Sequence, residues 1–189
     1  MAYDEKFMEA YEEFLLEPPV RSFHDWCLSI AKLNPAFDNV VDLGCGTTEF
    51  LKFAKPSTYA GIDEHPNKPY VMRGDYRKMK LTFPAATAFV SLFSIELTGK
   101  IDENYALYKQ LFEQNLSMQA GLVGGLYYWD KKLSNPIEET GGIVSFQTLE
   151  NLEDVRCDIF TEKRLIGWVP SKFFGREVIE IWKIFERSK

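Results

Sequence analysis

Val40-Val41-Asp42-Leu43-Gly44-Cys45-Gly46-Thr47-Thr48-Glu49 decides the fold: an apolar run breaks into two closely spaced glycines and then turns helical. The pattern reads as a strand, a tight turn and a helix start. Gly44 and Gly46 let the backbone take dihedrals closed to other residues and approach a ligand closely, and the free N–H groups of the helix that follows favour acceptor-rich groups. A nucleotide-like cofactor is the natural occupant of such a turn. Thr47 and Thr48 stand where they can cap the helix, Glu49 suits its positive first turn, Phe50 and Phe53 give it an apolar face, and Pro56 ends it.

Spacing narrows the choice of cofactor. A dinucleotide fingerprint asks for a third glycine three positions after the second, where this chain has Glu49. A phosphate loop asks for Gly-Lys-Ser/Thr after the turn, which the chain lacks. A second strand-like piece, Tyr59-Ala60-Gly61-Ile62, ends instead in Asp63, about twenty residues past Gly44, where an acidic residue can grip ribose hydroxyls.

Asp42-Leu43-Gly44-Cys45-Gly46, Gly61-Ile62-Asp63 and Arg73-Gly74-Asp75-Tyr76 together resemble the first three motifs of the class I, Rossmann-like S-adenosylmethionine-dependent methyltransferases. The resemblance implies an α/β three-layer sandwich with a seven-stranded, mostly parallel sheet and an antiparallel final strand. It implies S-adenosylmethionine as cofactor and S-adenosylhomocysteine as product, held by Asp42, Gly44, Cys45, Gly46, Asp63, Asp75, Tyr76, Leu92 and Phe93. Asp75 would accept from the adenine amino group, with Tyr76 beside the ring. Related enzymes often carry glycine where Thr48 stands, close to the amino-acid end of the cofactor.

With 189 residues, 46% hydrophobic and 15% aromatic, the chain is long enough for one packed domain. The expected organisation is a single domain over 1–189, with 1–34 as an N-terminal helical arm. No apolar run approaches the roughly twenty residues that span a bilayer, and Met1-Ala2-Tyr3-Asp4-Glu5 lacks the zones of a secretion signal. Cys27, Cys45 and Cys157 show no close pairing, so neither a disulfide framework nor a zinc site is indicated, and a cytoplasmic chain without metal is expected. The net charge of −6 argues against nucleic acid as a partner, and Arg77-Lys78-Met79-Lys80 reads as a solvated loop face.

In the arm, Phe7, Tyr11, Phe14 and Leu15 share one helical face, and Glu17-Pro18-Pro19 separates them from a second helix carrying Trp26, Ile30 and Leu33. The resemblance implies that this arm closes over the cofactor, which makes Tyr3, Tyr11, Arg21 and His24 candidates for contact. Ala86 to Ile95 is rich enough in branched and aromatic residues for a central parallel strand, and by resemblance its exit, Leu92 to Glu96, passes near the sulfonium. Tyr105, Tyr108, Phe112 and Leu116 mark a further helix before a strand at Gly121 to Trp129 and a polar connection over 131–146. Cys157 to Trp168 is charged, as suits an edge strand, whereas Val178 to Phe185 is apolar on both faces, as suits an interior one.

The implied chemistry is in-line displacement of a methyl group from a cationic sulfur, which rests on positioning and exclusion of water. His24, Glu96, Tyr128 and Asp130 are the candidates for a base, and the choice among them stays open. No Asn-Pro-Pro-Tyr or Asp-Pro-Pro-Tyr occurs, which removes the nucleobase-amine signature and favours a small-molecule acceptor. Methylation of a protein or nucleic acid and a non-catalytic S-adenosylmethionine-binding module are the alternatives, and the oligomeric state is open.

Overall fold

The computed structural model describes residues 13–66, 68–95, 101–128, 147–148, 160–173 and 176–188. A helical turn at 13–16 leads into α1 (Pro18–Lys32), whose two prolines occupy the first helical positions, where a missing N–H costs nothing. The break expected at Glu17-Pro18-Pro19 is therefore also the start of the next helix. A 3-10 turn (Pro35–Asp38) then feeds β1 (Asn39–Leu43), followed by α2 (Glu49–Ala54), β2 (Thr58–Asp63), β3 (Val71–Arg73) and a second 3-10 turn (Tyr76–Lys78). The rest is β4 (Ala88–Leu92), α3 (Ile101–Gln114), β5 (Ala120–Tyr128), β6 (Gln147–Thr148), β7 (Phe160–Phe173) and β8 (Arg176–Arg187).

The strands form one sheet in the order β3-β2-β1-β4-β5-β8-β7, with β6 set off against β5. Every neighbouring pair from β3 to β5 is parallel, and β8 runs antiparallel to both β5 and β7. The C-terminal pair lies as its polarity predicts, with the apolar β8 inside and the charged β7 outside it. Among the described residues the sheet has eight strands, where seven were expected. The register of β4 on β5 stops at Leu92 opposite Gly124, which leaves Tyr127 and Tyr128 with an open edge, and Gln147 and Thr148 pair there in parallel.

Alternation along the strands sends side chains into two cores, one on each face. Val40, Ala88, Val90, Leu122 and Trp182 meet α1 and α2 on one side. Val41, Leu43, Ile62, Phe89 and Phe185 meet Tyr108, Leu111 and Phe112 of α3 on the other. The face of α1 that is buried differs in part from the expected one: Val20, His24, Cys27, Leu28 and Ala31 point inward and Ile30 packs against this core, while Trp26 is half exposed and Leu33 is 84% exposed. The cause is a polar group beneath the helix. Glu180 of β8 alternates onto the same face as Trp182, is fully buried there, and takes His24 as its counter-ion. Leu116, expected on the core side of α3, falls beyond its end and is likewise exposed.

Candidate functional site

In open α/β sheets, ligands bind beyond the carboxyl ends of the strands where the strand order reverses, which here lies between β1 and β4. A cleft of about 300 Å³, counted out to open solvent, occupies that position. Asp42, Gly44, Cys45, Gly46 and Leu92, all expected from the sequence as cofactor contacts, line it together with Thr47, Glu49 and Phe50.

The turn is held by the neighbouring strand. Gly44 and Gly46 have φ of 66° and 43°, in the region that favours glycine. The N–H groups of Gly44 and Cys45 donate to the Ile62 carbonyl at 2.8 and 3.2 Å. Asp63 then receives the Gly46 N–H on Oδ2 at 2.9 Å and the His65 N–H on Oδ1 at 2.8 Å, so both carboxylate oxygens are fixed in direction. Each keeps acceptor capacity for a further donor, which matches a pair of ribose hydroxyls. A Cβ on Gly44 would lie 1.9 Å from Ser94 Oγ, whereas one on Gly46 would meet nothing within 4 Å, so the space beside Gly46 belongs to the cleft.

Thr48 departs from the capping role expected of it. Its side chain makes no cap hydrogen bond; Oγ1 donates to the Thr47 carbonyl at 2.6 Å and lies 3.5 Å from the Tyr70 hydroxyl. Its φ is 59°, a left-handed conformation that a β-branched residue rarely adopts. Threonine thus occupies a glycine-type backbone here. The side chain is fully buried and is not part of the cleft wall, so it leaves the ligand space open.

Two carboxylates face this cleft, and they differ. Asp42 is buried and accepts a 2.7 Å hydrogen bond from the Tyr59 hydroxyl. Burial pushes its pKa up to about 7, with Asp63 and Glu49 adding to the rise against the Tyr59 bond. Glu49 is also largely shielded, and burial works against its charge, but His24 and Arg21 outweigh that and hold its carboxyl below the ordinary range. Arg21 Nη1 lies 2.5 Å from Glu49 Oε1, and His24 Nδ1 lies 3.7 Å from Oε2. Burial raises the Cys45 thiol to about 12, so it is an inert packing group.

Phe93, at the exit of β4, has φ of 56° and is buried against the rings of His24 and Phe14. Strained backbone of this kind is tolerated where surrounding packing over-determines it. Asp75 caps the second 3-10 turn through the Arg77 N–H at 3.0 Å and pairs with Lys78 at 2.6 Å. Tyr76 is buried beneath Gly44, its hydroxyl 2.8 Å from Ser94 Oγ.

Of the base candidates, His24 is fully buried between Glu180 and Glu49 and presents no atom to solvent. Glu96, Asp130, Tyr3, Tyr11 and the 131–146 connection lie outside the described residues, as does the side chain of Tyr128. Thr47, Glu49 and Phe50, which line the cleft, and Glu180 behind it are residues that sequence reasoning did not assign to the site. The signal for Glu180 was present, as one carboxylate within the apolar run Val178 to Phe185. Among the described residues no cluster of metal-ligating side chains occurs, and no helix is long and apolar enough to cross a membrane.

No protein-family model matches the chain, and no curated protein matches it by sequence. Solved structures do. Magnesium protoporphyrin IX methyltransferase from Synechocystis PCC 6803 with bound S-adenosylhomocysteine aligns over 98% of this chain and 96% of its own, with a TM-score of 0.55 and 12% identity. A methyltransferase from Thermotoga maritima, described as a possible histamine N-methyltransferase, covers 97% of both chains at a TM-score of 0.56 and 15% identity. Geranyl diphosphate C-methyltransferase from Streptomyces coelicolor A3(2) aligns over 98% of this chain and 84% of its own, at a TM-score of 0.60 and 11% identity. The chain therefore has the fold of the class I S-adenosylmethionine-dependent methyltransferases.

Proposed function

We propose that this chain is an S-adenosylmethionine-dependent methyltransferase that acts on a small-molecule acceptor by in-line displacement. The observation that carries the reading is the union of the glycine turn with Asp63. The Gly46 N–H, at the mouth of the cleft, orients the one carboxylate placed at the end of β2 to receive ribose hydroxyls. The residues fit the cofactor: Gly46 leaves space, Asp63 retains acceptor capacity, and Asp42 lines the cleft. Asp75, already oriented by Arg77 and Lys78, is assigned to the adenine end, and Leu92 to the side facing the acceptor.

When bound, S-adenosylmethionine supplies a methyl group on a cationic sulfur, a leaving group that needs no metal or covalent nucleophile. The protein holds donor and acceptor in line and shields them from water, as effective-molarity arguments require. Leu92 and Phe50 provide apolar wall for that purpose. The base is drawn from Glu96, Tyr128 or Asp130; the burial of His24 removes it from direct contact with an acceptor. The structural neighbours act, by their names, on a porphyrin and a prenyl diphosphate, which supports a small-molecule acceptor here, as does the net charge of −6. The free thiols of Cys27 and Cys45 suit a reducing compartment, and we assign the chain to the cytoplasm as one domain.

Calorimetric titration with S-adenosylmethionine and S-adenosylhomocysteine, with NAD as control, tests the reading. Saturable binding of both sulfur compounds, lost in Asp63→Ala, is expected; absence of binding to either would overturn it.

A further inference from the structure

Four groups form a line from the surface into the sheet: Arg21, Glu49, His24 and Glu180. Arg21 meets Glu49 at 2.5 Å, His24 Nδ1 stands 3.7 Å from Glu49, and His24 Nε2 stands 2.5 Å from Glu180 Oε1. Trp182 Nε1 also donates to Glu180 Oε1. The His24 ring stacks on Phe93 at 5.3 Å and 21°, and the rings of Phe14 and Trp182 close the remaining sides. His24 therefore touches Glu49, which lines the cleft, and Phe93, the residue that follows the cleft-lining Leu92.

An ion pair buried this fully is a poor device for stability, because desolvation offsets the attraction and an apolar pair of similar volume often serves as well. It also leaves Glu180 Oε2 and both ring nitrogens of His24 without a well-aligned hydrogen bond among the described residues, so His24 meets its two carboxylates as charge pairs. The pair is better explained by what it holds. We propose that His24, backed by Glu180, is a positioning residue for the cleft, fixing the Glu49 carboxylate and the left-handed turn at Phe93 for the methyl donor. For its effect on ligand affinity this rests on the methyltransferase reading; its effect on Glu49 does not.

The electrostatics support the geometry on the His24 side, whereas burial raises the Glu180 carboxyl against the pull of His24 and Trp182. Burial opposes a charged imidazole, yet Glu180 from β8 and Glu49 from α2 raise His24 to about 9, with Arg21 on its own helix facing Glu49. His24 is then charged at neutral pH and contributes to the lowered pKa of Glu49. It loses that charge only in alkaline solution.

The test uses the full chain as His24→Phe/Glu180→Met, which removes both charges together, and as Glu180→Gln, which keeps the shape. Carboxyl carbon NMR follows the titration of Glu49, and calorimetry measures S-adenosylmethionine affinity from pH 7 to 10. Wild type should show Glu49 titrating below the ordinary range and affinity falling as pH rises through about 9. The double variant should move Glu49 upward, bind about tenfold more weakly at pH 7 and lose the alkaline dependence, with Glu180→Gln intermediate. An unchanged Glu49 titration in both variants overturns the proposal, and so does wild-type affinity in a folded double variant. If wild type binds no donor at all, the methyltransferase reading fails, and the Glu49 titration alone decides the positioning role.

Discussion

The Tyr59 hydroxyl donates to Asp42 Oδ2 at 2.7 Å, tying the buried carboxylate of β1 to the neighbouring strand at the floor of the cleft. The bond is part-buried and is the hydrogen bond seen for that carboxylate among the described residues. Tyr59→Phe keeps the ring and removes the donor, so Asp42 is left desolvated and underpaired. The expected cost is about 1–3 kcal/mol, measured by urea denaturation at pH 8, where the carboxylate is charged. Near pH 5, where Asp42 is protonated, the cost should shrink; an equal loss at both pH values would contradict the assignment.

Asp42 also sets a pH dependence. Its folded pKa of about 7 lies above the unfolded value, so between about pH 4 and 7 the native state binds the extra proton and stability falls as pH rises. His24 continues the decline: its folded value of about 9 means that its contribution, full below its ordinary range, is lost as pH climbs through 9. Glu49 and Asp75 act oppositely, since their lowered values make stability fall as pH drops through the carboxylate range. The optimum should therefore sit on the mildly acidic side of neutral. Asp42→Asn, which retains an acceptor for Tyr59, should flatten the fall between pH 4 and 7, an effect bounded at about 4 kcal/mol. Thermal melts across pH 4 to 10 would show this directly.

Thr48 offers a test of backbone strain. With φ at 59°, alanine should be no better than threonine, and glycine should exceed alanine. The usual order in a helix is reversed because a left-handed residue with a Cβ costs about 1–2 kcal/mol. Thr48→Gly is expected to be more stable than Thr48→Ala by about 1 kcal/mol in chemical denaturation, with cofactor affinity retained in both. The opposite ranking would place the backbone elsewhere.

These features show what the sequence could and could not disclose. The glycine turn, the acidic residue that ends β2 and the interior position of β8 follow from local grammar: apolar runs, glycine spacing and the polarity of neighbouring strands. The buried face of α1 did not follow, because His24 is polar and Trp26 apolar, and only the presence of Glu180 across 156 positions of chain reverses their preference. The left-handed Thr48 was equally hidden, since β-branched residues argue against such a backbone unless the turn on either side imposes it. The sixth strand was invisible for another reason: two residues carry no periodicity, and they pair because β5 outruns β4.

Gly44 is the position at which the turn is least forgiving. Its φ of 66° disfavours any side chain, and an added Cβ would lie 1.9 Å from Ser94 Oγ and 2.4 Å from Ser94 Cβ. Ser94 cannot retreat easily, because its hydroxyl is engaged with Tyr76 at 2.8 Å and the residue is buried. Gly44→Ala therefore combines a dihedral cost of about 1–2 kcal/mol with overpacking of about 1–3 kcal/mol, and should lower the melting temperature by several degrees. Ser94→Gly removes both clashing atoms, so the double variant should recover the overpacking part and retain the dihedral part. Calorimetric melts of the two single variants and the double one measure the coupling, and strict additivity would mean that Ser94 is not what limits Gly44.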